Sequence, residues 1–340
     1  MTQVLKLGLS GCSGALESIS TSSLLDLAVL VEELGYDAMW LNEEHFQGGA
    51  GGGLDGRRCL SPLILASAIL ARTRRLRVGF SVLLLSIHHP LRLAEDLASL
   101  DVLSDGRVDV GISRGANARY LSAFSAPDAD VSAQDFAARL GLMIRAWSAD
   151  PIVFGTESFS VEPKPVQIPH PPVFVGTYTP DTAAWAARQG HRIICHGINS
   201  LDTIRPVMSA YTAAGGDPSE VPFGRFVYVS DDDESARREL WPTVEKLTAR
   251  LRTIGIAKRD NVINAEDLEP EAFYRRMVIA GGPSTCAARI NELCGEFGLG
   301  YLNALAAFFG YLPLDQLKRS LTLLATEVRP RLEPVRSGQA

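Results

Sequence analysis

The strongest constraint on this chain is an alternation that runs its whole length: short apolar runs of strand size take turns with stretches of helical period. VLKLGLS (4–10), DAMWL (37–41), LRVGFSVLLL (76–85), RVDVGI (107–112), PVFVGT (172–177), RIIC (192–195), RFVYVS (225–230) and YLNALAAFF (301–309) read as strands. Helices are predicted over 21–35, from Pro62, and over 90–103, 132–148, 180–189, 201–214, 232–251, 283–297 and 313–327. Their ends carry the chemistry expected of helix termini: cap-forming hydroxyls, Pro62 and Pro90 in first turns, Gly35 after a last turn. LRVGFSVLLL is too continuously apolar for a half-exposed strand and suits a parallel sheet covered on both faces. About eight strand–helix units without a break in composition predict a single (β/α)8 TIM barrel, an α/β fold with insertions in its strand-to-helix loops. It is expected to span 1–330, with 331–340 a flexible tail. A doubly wound open sheet is the structural alternative, and would carry a phosphate loop just after its first strand. The one glycine-rich match, GGGLDG (51–56), neither follows a strand nor opens a helix, and reads as a lid.

Bulk composition removes several function classes. A net charge of -6, a pI near 5.6 and no basic tract argue against nucleic acid or anionic membrane as the main partner. Five cysteines, odd in number and without a CxxC pair, argue against a disulfide framework or zinc knuckle and fit a reducing cytoplasm. The start, MTQVLKLGLSG, is not read as a signal peptide, and no apolar run reaches the ~18 residues of a membrane span. Six histidines show neither HxH nor HExxH spacing, so no metal site is expected.

In a barrel the working groups stand on the loops that follow the strands. WLNEEHF (40–46) places Glu43, Glu44 and His45 at such a strand end. After RVDVGI, Ser113 and Arg114 fall at another, where a guanidinium can fork onto a phosphate. GTYTPDT (176–182) sets Thr177, Thr179 and Thr182 around a helix start at Pro180, whose free amides and dipole suit the same anion; alternatively Thr179 only caps its helix. His196 ends RIIC and is a candidate for the mouth. His89 reads as structural and His88 is left open; His191 sits at a strand start, on the stability face. DDDE (231–234) reads as a helix N-terminus favoured by the dipole. Two long segments, 45–59 and 252–270, read as lids.

Taken together, LGYDAMWLNEEHF, RLRVGFSVLLLSIHHPLRLAEDLASLDVLSDGRVDVGISRG, PHPPVFVGTYTPDTAAWAARQG and FFGYLPLDQLKRSLTLLATEVRPRL resemble the bacterial luciferase-like flavin monooxygenases, in the right order and over nearly the whole chain. The resemblance implies a TIM barrel using reduced FMN (FMNH2) supplied by a separate NAD(P)H:flavin reductase, with O2 activated at flavin C4a as a C4a-hydroperoxyflavin to oxygenate a small organic molecule. It assigns the phosphate to Arg114, Thr179 and Thr182, with Ser113 and Tyr178 nearby, Tyr178 standing where luciferase has a glutamate. It places a cis peptide between Phe80 and Ser81 beneath the ring, and Glu43 near the flavin. Glu44, His45 and His196 would handle protons. One departure falls on EHHF, whose first histidine is Glu44 here. Relatives are often dimers, so a homodimer is expected. The same barrel also serves F420-dependent hydride transfer, a rival reading that asks for more cations than Arg114 and Arg119 at the mouth, and a non-catalytic flavin-binding partner subunit is a third.

Overall fold

The computed structural model describes residues 2–12, 20–46, 60–115, 118–124, 132–148, 150–258 and 262–336. The expected lid at 45–59 lies outside them apart from His45 and Phe46, as does GGGLDG. Nine strands form one curled parallel sheet: β1 Lys6–Ser10, β2 Ala38–Leu41, β3 Arg77–Phe80, β4 Val108–Ser113, β5 Val173–Gly176, β6 Arg192–Ile194, β7 Phe223–Val229, β8 Val278–Gly281 and β9 Tyr301–Ala304. Their spatial order is β6-β5-β4-β3-β2-β1-β9-β7-β8. The first six neighbours follow chain order, without the reversal of a doubly wound sheet. β6 and β7 approach through one isolated parallel bridge, Cys195 with Phe223, where Gly224 N–H donates to Cys195 O at 2.8 Å.

The helices are α1 Thr21–Glu33, α2 Pro62–Arg72, α3 Pro90–Ser104, α4 Ala118–Phe124, α5 Ala133–Trp147, α6 Pro180–Arg188, α7 Leu201–Ala213, α8 Asp233–Thr253, α9 Pro270–Met277, α10 Pro283–Phe297 and α11 Leu314–Leu323. Asp232 of DDDE caps α8, its side chain accepting Ser235 N–H, and Asp233 and Glu234 fill the first turn. Among the described residues no helix is long and apolar enough to cross a membrane.

Strand alternation divides the apolar residues into two layers. The larger core lies between sheet and helices. A small inner cluster, Ala38, Trp40, Phe174, Ile194 and Tyr301 with Val82 against it, fills the space the sheet curls around. Trp40 has room because its neighbours lack side chains: a Cβ at Gly79 would stand 2.4 Å from the indole, and one at Gly8 3.1 Å. The indole Nε1–H donates to Tyr301 Oη at 2.8 Å and the ring meets Phe174 edge-on at 5.1 Å. Trp40, fully buried, is the largest side chain of this plug.

Several expected boundaries move. LRVGFSVLLL is not one strand: β3 stops at Phe80, Leu83–Leu84 pairs with β4, and a 3-10 turn takes Leu85–Ile87. Uniform hydrophobicity hid the break. YLNALAAFF ends as a strand at Ala304; a turn at 306–307 follows, and Phe308 and Phe309 then take left-handed φ values of 48° and 52° in a 3-10 turn. The helix at 313–327 is regular only to Leu323, then widens into a π turn over Leu324–Val328. Segment 252–270 is not one long loop: α8 enters it, 3-10 turns occupy Ile256–Lys258 and Ala265–Leu268, and α9 starts at Pro270. Strand β8 was not expected, since VIAG is four residues set directly after a helix. Within the segment expected as a tail, Val335–Arg336 pairs with Thr2–Gln3; residues 337–340 lie outside the description.

Candidate active site

The carboxyl ends of the strands carry the candidate groups. At the end of β2, consecutive side chains turn to different neighbours. Glu43 goes inward and is 5% exposed. Its Oε2 accepts Leu84 N–H at 2.7 Å; its Oε1 lies 2.8 Å from His88 Nε2 and 3.2 Å from His45 Nε2. Burial alone would raise this carboxyl, but the His88 hydrogen bond and charge, the Leu84 amide and His45 outweigh it and hold the pKa below the usual carboxylate value. Glu43 is therefore a fixed anion. Glu44 turns toward α4, where Tyr120 Oη–H donates to its Oε2 at 2.9 Å. His45 packs edge-on against Tyr120 and Phe124, at 5.4 and 4.8 Å between centroids, and Phe46 stacks on Phe124 at 5.1 Å. An aromatic wall thus stands over a carboxylate–phenol pair.

Two strands further on lies the second group. β4 pairs with β5 with Ile112 opposite Val175, so the next residues set Ser113 level with Gly176 and Arg114 level with Thr177. The closeness is direct: a Cβ at Gly176 would be 3.5 Å from Ser113 Cβ. Arg114 is exposed and, among the described residues, has no carboxylate in ion-pair reach. Beside it, Thr177 Oγ1 accepts Thr179 N–H at 3.1 Å and Thr179 Oγ1 donates to Thr182 Oγ1 at 2.9 Å. Thr179 occupies the N-cap position of α6 but its side chain makes no capping bond, its hydroxyl going to Thr182 instead. Pro180 has no N–H, so the amides of Asp181 and Thr182 are the first open donors. Asp181 is a counter-influence in that turn. Tyr178 stands on the rim, 46% exposed. The guanidinium and the uncapped helix start share one rim on adjacent strands.

One expectation is corrected: the cis peptide is not at Phe80–Ser81, and Phe80 does not line the mouth. Gly79 faces Trp40 on the inner side, so alternation turns Phe80 outward into the helix-packed core, where it is fully buried. The cis peptide lies one bond later, between Ser81 and Val82. Ser81, 8% exposed, donates its N–H to Leu41 O at 2.6 Å, and Val82 is the side chain that reaches the inner cluster and the Gly176 backbone. No residue type announces a cis bond, and a one-residue slip reverses every facing.

His196 lies at the end of β6, four strands round the sheet from Glu44 and His45, and lies flat on Phe309 at 6.0 Å. Its Nδ1 accepts Ile198 N–H at 3.3 Å, and burial pushes its pKa down to about 4. The imidazole is neutral near pH 7, and serves better as a hydrogen-bonding group than as an acid. Because the folded value is depressed, the unfolded chain binds the extra proton, and stability falls as pH drops below about 6.5. Between pH 6.5 and 5 this group should cost the wild type about 1–2 kcal/mol that a His196→Gln variant does not lose, measurable as the difference in urea midpoints.

Sequence reasoning missed Tyr120, Val82 and Phe309, and left His88 open. Tyr120 is 76 residues from Glu44, and only the curled sheet brings them together. The available signal was Tyr120 and Phe124 at i, i+4, one helix face carrying two aromatics. The side chain of Arg119 lies outside the described residues.

Comparison with known proteins follows the same lines. The family described as luciferase-like monooxygenase matches over residues 6–299. The chain is 25% identical over 347 residues to the F420-dependent glucose-6-phosphate dehydrogenase of Kineococcus radiotolerans, covering 98% of each. It superposes on the monooxygenase RslO1 of Streptomyces bottropensis with a TM-score of 0.76 at 27% identity, covering 96% of this chain and 99% of that one. The oxygenating constituent of 3,6-diketocamphane monooxygenase from Pseudomonas putida, solved with FMN, shares the fold at a TM-score of 0.78 and 20% identity, covering 98% and 100%. A match from residue 6 to residue 299 of 340 shows that the chain belongs to the luciferase-like monooxygenase family.

Proposed function

We propose that this chain is the oxygenase component of a two-component flavin-dependent monooxygenase, which takes reduced FMN from a separate NAD(P)H:flavin reductase and oxygenates a small organic substrate with O2. We read the curled sheet as a closed (β/α)8 barrel in which β1–β7 and β9 form the ring, the Cys195–Phe223 bridge closes it, and β8 is an added strand beside β7. One observation carries the functional reading: Arg114 and the uncapped start of α6 converge on one rim. A guanidinium, two open amides and the Thr179 and Thr182 hydroxyls match the donor demand of a mononucleotide phosphate.

Reduced FMN, when bound, supplies the electrons that activate O2. The chain's own residues do the rest. Arg114, Thr179 and Thr182 hold the phosphate, with Ser113 and Tyr178 at its edge. Ser81 and Val82 line the floor toward the Trp40 plug. Glu43 anchors the β2 loop as a permanent anion, and Glu44 with Tyr120 holds a mobile proton at the mouth. His45 stands beside that pair, and neutral His196 lies four strands round the sheet, at the end of β6. Phe46, Tyr120 and Phe124 exclude water, which protects the oxygenation from wasteful peroxide release. Glu44→Gln should lower product formation by roughly 100-fold and raise the peroxide-to-product ratio, since a positioned acid or base contributes about 10²–10⁴-fold. Unaltered turnover and coupling in that variant would contradict the role.

Hydride transfer with F420 is the second reading, favoured by the full-length likeness to the Kineococcus dehydrogenase. Side-by-side anaerobic titration with both reduced cofactors separates the two. We also read the chain as a homodimer: Ile64 on α2 and Val102 and Leu103 on α3 are exposed, the last by 80%. Ile64→Glu combined with Leu103→Glu should give a monomer in sedimentation; an unchanged sedimentation coefficient would rule this face out.

A further inference from the structure

We propose that Glu43 is a positioning residue that fixes the tautomers of two histidines at once, holding His45 and His88 both as Nε2–H imidazoles with the lone pair at Nδ1. One oxygen, Oε1, lies within hydrogen-bond reach of both Nε2 atoms, at 3.2 and 2.8 Å. The other oxygen is taken by Leu84 N–H. A carboxylate oxygen has lone pairs and no hydrogen, so each of the two contacts needs its hydrogen from the imidazole. The Leu84 amide and the His88 hydrogen bond favour the Glu43 anion against the pull of burial with the rings neutral, and the charge either ring carries when protonated favours it further.

Two consequences follow. Glu43 cannot pass a proton between the rings, because both neighbours already present hydrogens to it; protons enter and leave each imidazole at Nδ1. His88 moves from a loop residue of open role to part of the site, as the partner that shares the anion with His45. Among the described residues, the other charged and titratable groups around them include Glu44 with Tyr120 beside His45, and Arg139, which donates to the His88 carbonyl at 3.5 Å and pairs with Asp135 at 2.7 Å; His89 adjoins along the chain. Tyr120 and Phe124 fix the plane of His45 by edge contacts, so the orientation of its Nδ1 is set once the tautomer is set. This deepens the monooxygenase reading by naming the atom of His45 that meets a proton, but the tautomers themselves do not depend on that reading.

The test uses the full chain, 15N-labelled and without cofactor, so that failure here is distinct from failure of flavin binding. Long-range 1H–15N correlation spectra at alkaline pH distinguish Nε2–H from Nδ1–H, and His45→Gln and His88→Gln assign the two signal sets by loss. Both rings are expected as Nε2–H in the wild type. In Glu43→Gln, whose amide must set a donor against either Leu84 N–H or the imidazoles, at least one ring is expected to shift toward Nδ1–H. An Nδ1–H ring in the wild type overturns the proposal even if the variant fails to fold. Unchanged tautomers in a folded Glu43→Gln protein overturn the positioning role.

Discussion

Arg114→Ala is expected to weaken binding of reduced FMN by roughly 10- to 100-fold while leaving the fold intact. The side chain is exposed and, among the described residues, is paired with no carboxylate, so removing it breaks no ion pair of the protein. What is lost is a charge-assisted bond to the phosphate, worth about 1.5–3 kcal/mol, and each 1.4 kcal/mol is tenfold in affinity. Two controls isolate the cause. Reduced riboflavin has no phosphate, so its affinity should be equal for wild type and variant. Arg114→Lys keeps the charge but loses the planar fork, and should recover only part of the loss. Because the site is open to solvent, the wild-type affinity for reduced FMN should also fall as salt is added, and the Arg114→Ala affinity should fall less. An equal drop for both flavins would point to general damage.

The second large effect lies in the scaffold and depends on what each glycine faces. A Cβ at Gly111 would lie 1.5 Å from the Phe80 carbonyl oxygen, which is backbone and cannot step aside. Gly111→Ala is therefore expected to yield no soluble folded protein. A Cβ at Gly79 would meet Trp40 ring atoms at 2.4–2.6 Å, and a side chain can be changed. Gly79→Ala should destabilise by about 2–4 kcal/mol, in the range of overpacking, and Gly79→Ala with Trp40→Phe should recover part of it because the clashing half of the indole is gone. Circular dichroism melts of the three proteins check this. A Gly111→Ala protein that melts near the wild type, or a double variant no better than Gly79→Ala alone, would refute the packing account.

Those glycines also show where sequence reading reached its limit. Alternating periods identified eight of the nine strands in the curled sheet, because a buried parallel strand needs a run of apolar residues whatever its neighbours are. They missed β8, whose four residues carry no length signal, and they merged β3 with the segment after it, because LRVGFSVLLL is apolar throughout. Facing is a finer property than strand existence. Phe80 and Val82 are both apolar, yet one belongs to the helix layer and the other to the inner cluster, and only the position of the chain break decides.

The candidate site divides in the same way. Arg114 and GTYTPDT were legible because a helix start after a strand has a local signature, and so was the polar end of β2. That Glu43 holds two histidines, one of them 45 residues away, and that Glu44 meets Tyr120, were not. Such contacts follow from the curl of the sheet, which brings segments distant in sequence to one rim, and no local pattern encodes them. Glu44 has a phenol as its hydrogen-bond donor, and His45 is held by an anion.

Calorimetric titration of the wild-type protein under anaerobic conditions with reduced FMN and, separately, with reduced F420 tests the central claim most directly. Saturable one-to-one uptake of reduced FMN, with F420 binding at least tenfold weaker, is the predicted result. Uptake of F420 in preference to FMN, or heat from neither, would contradict it.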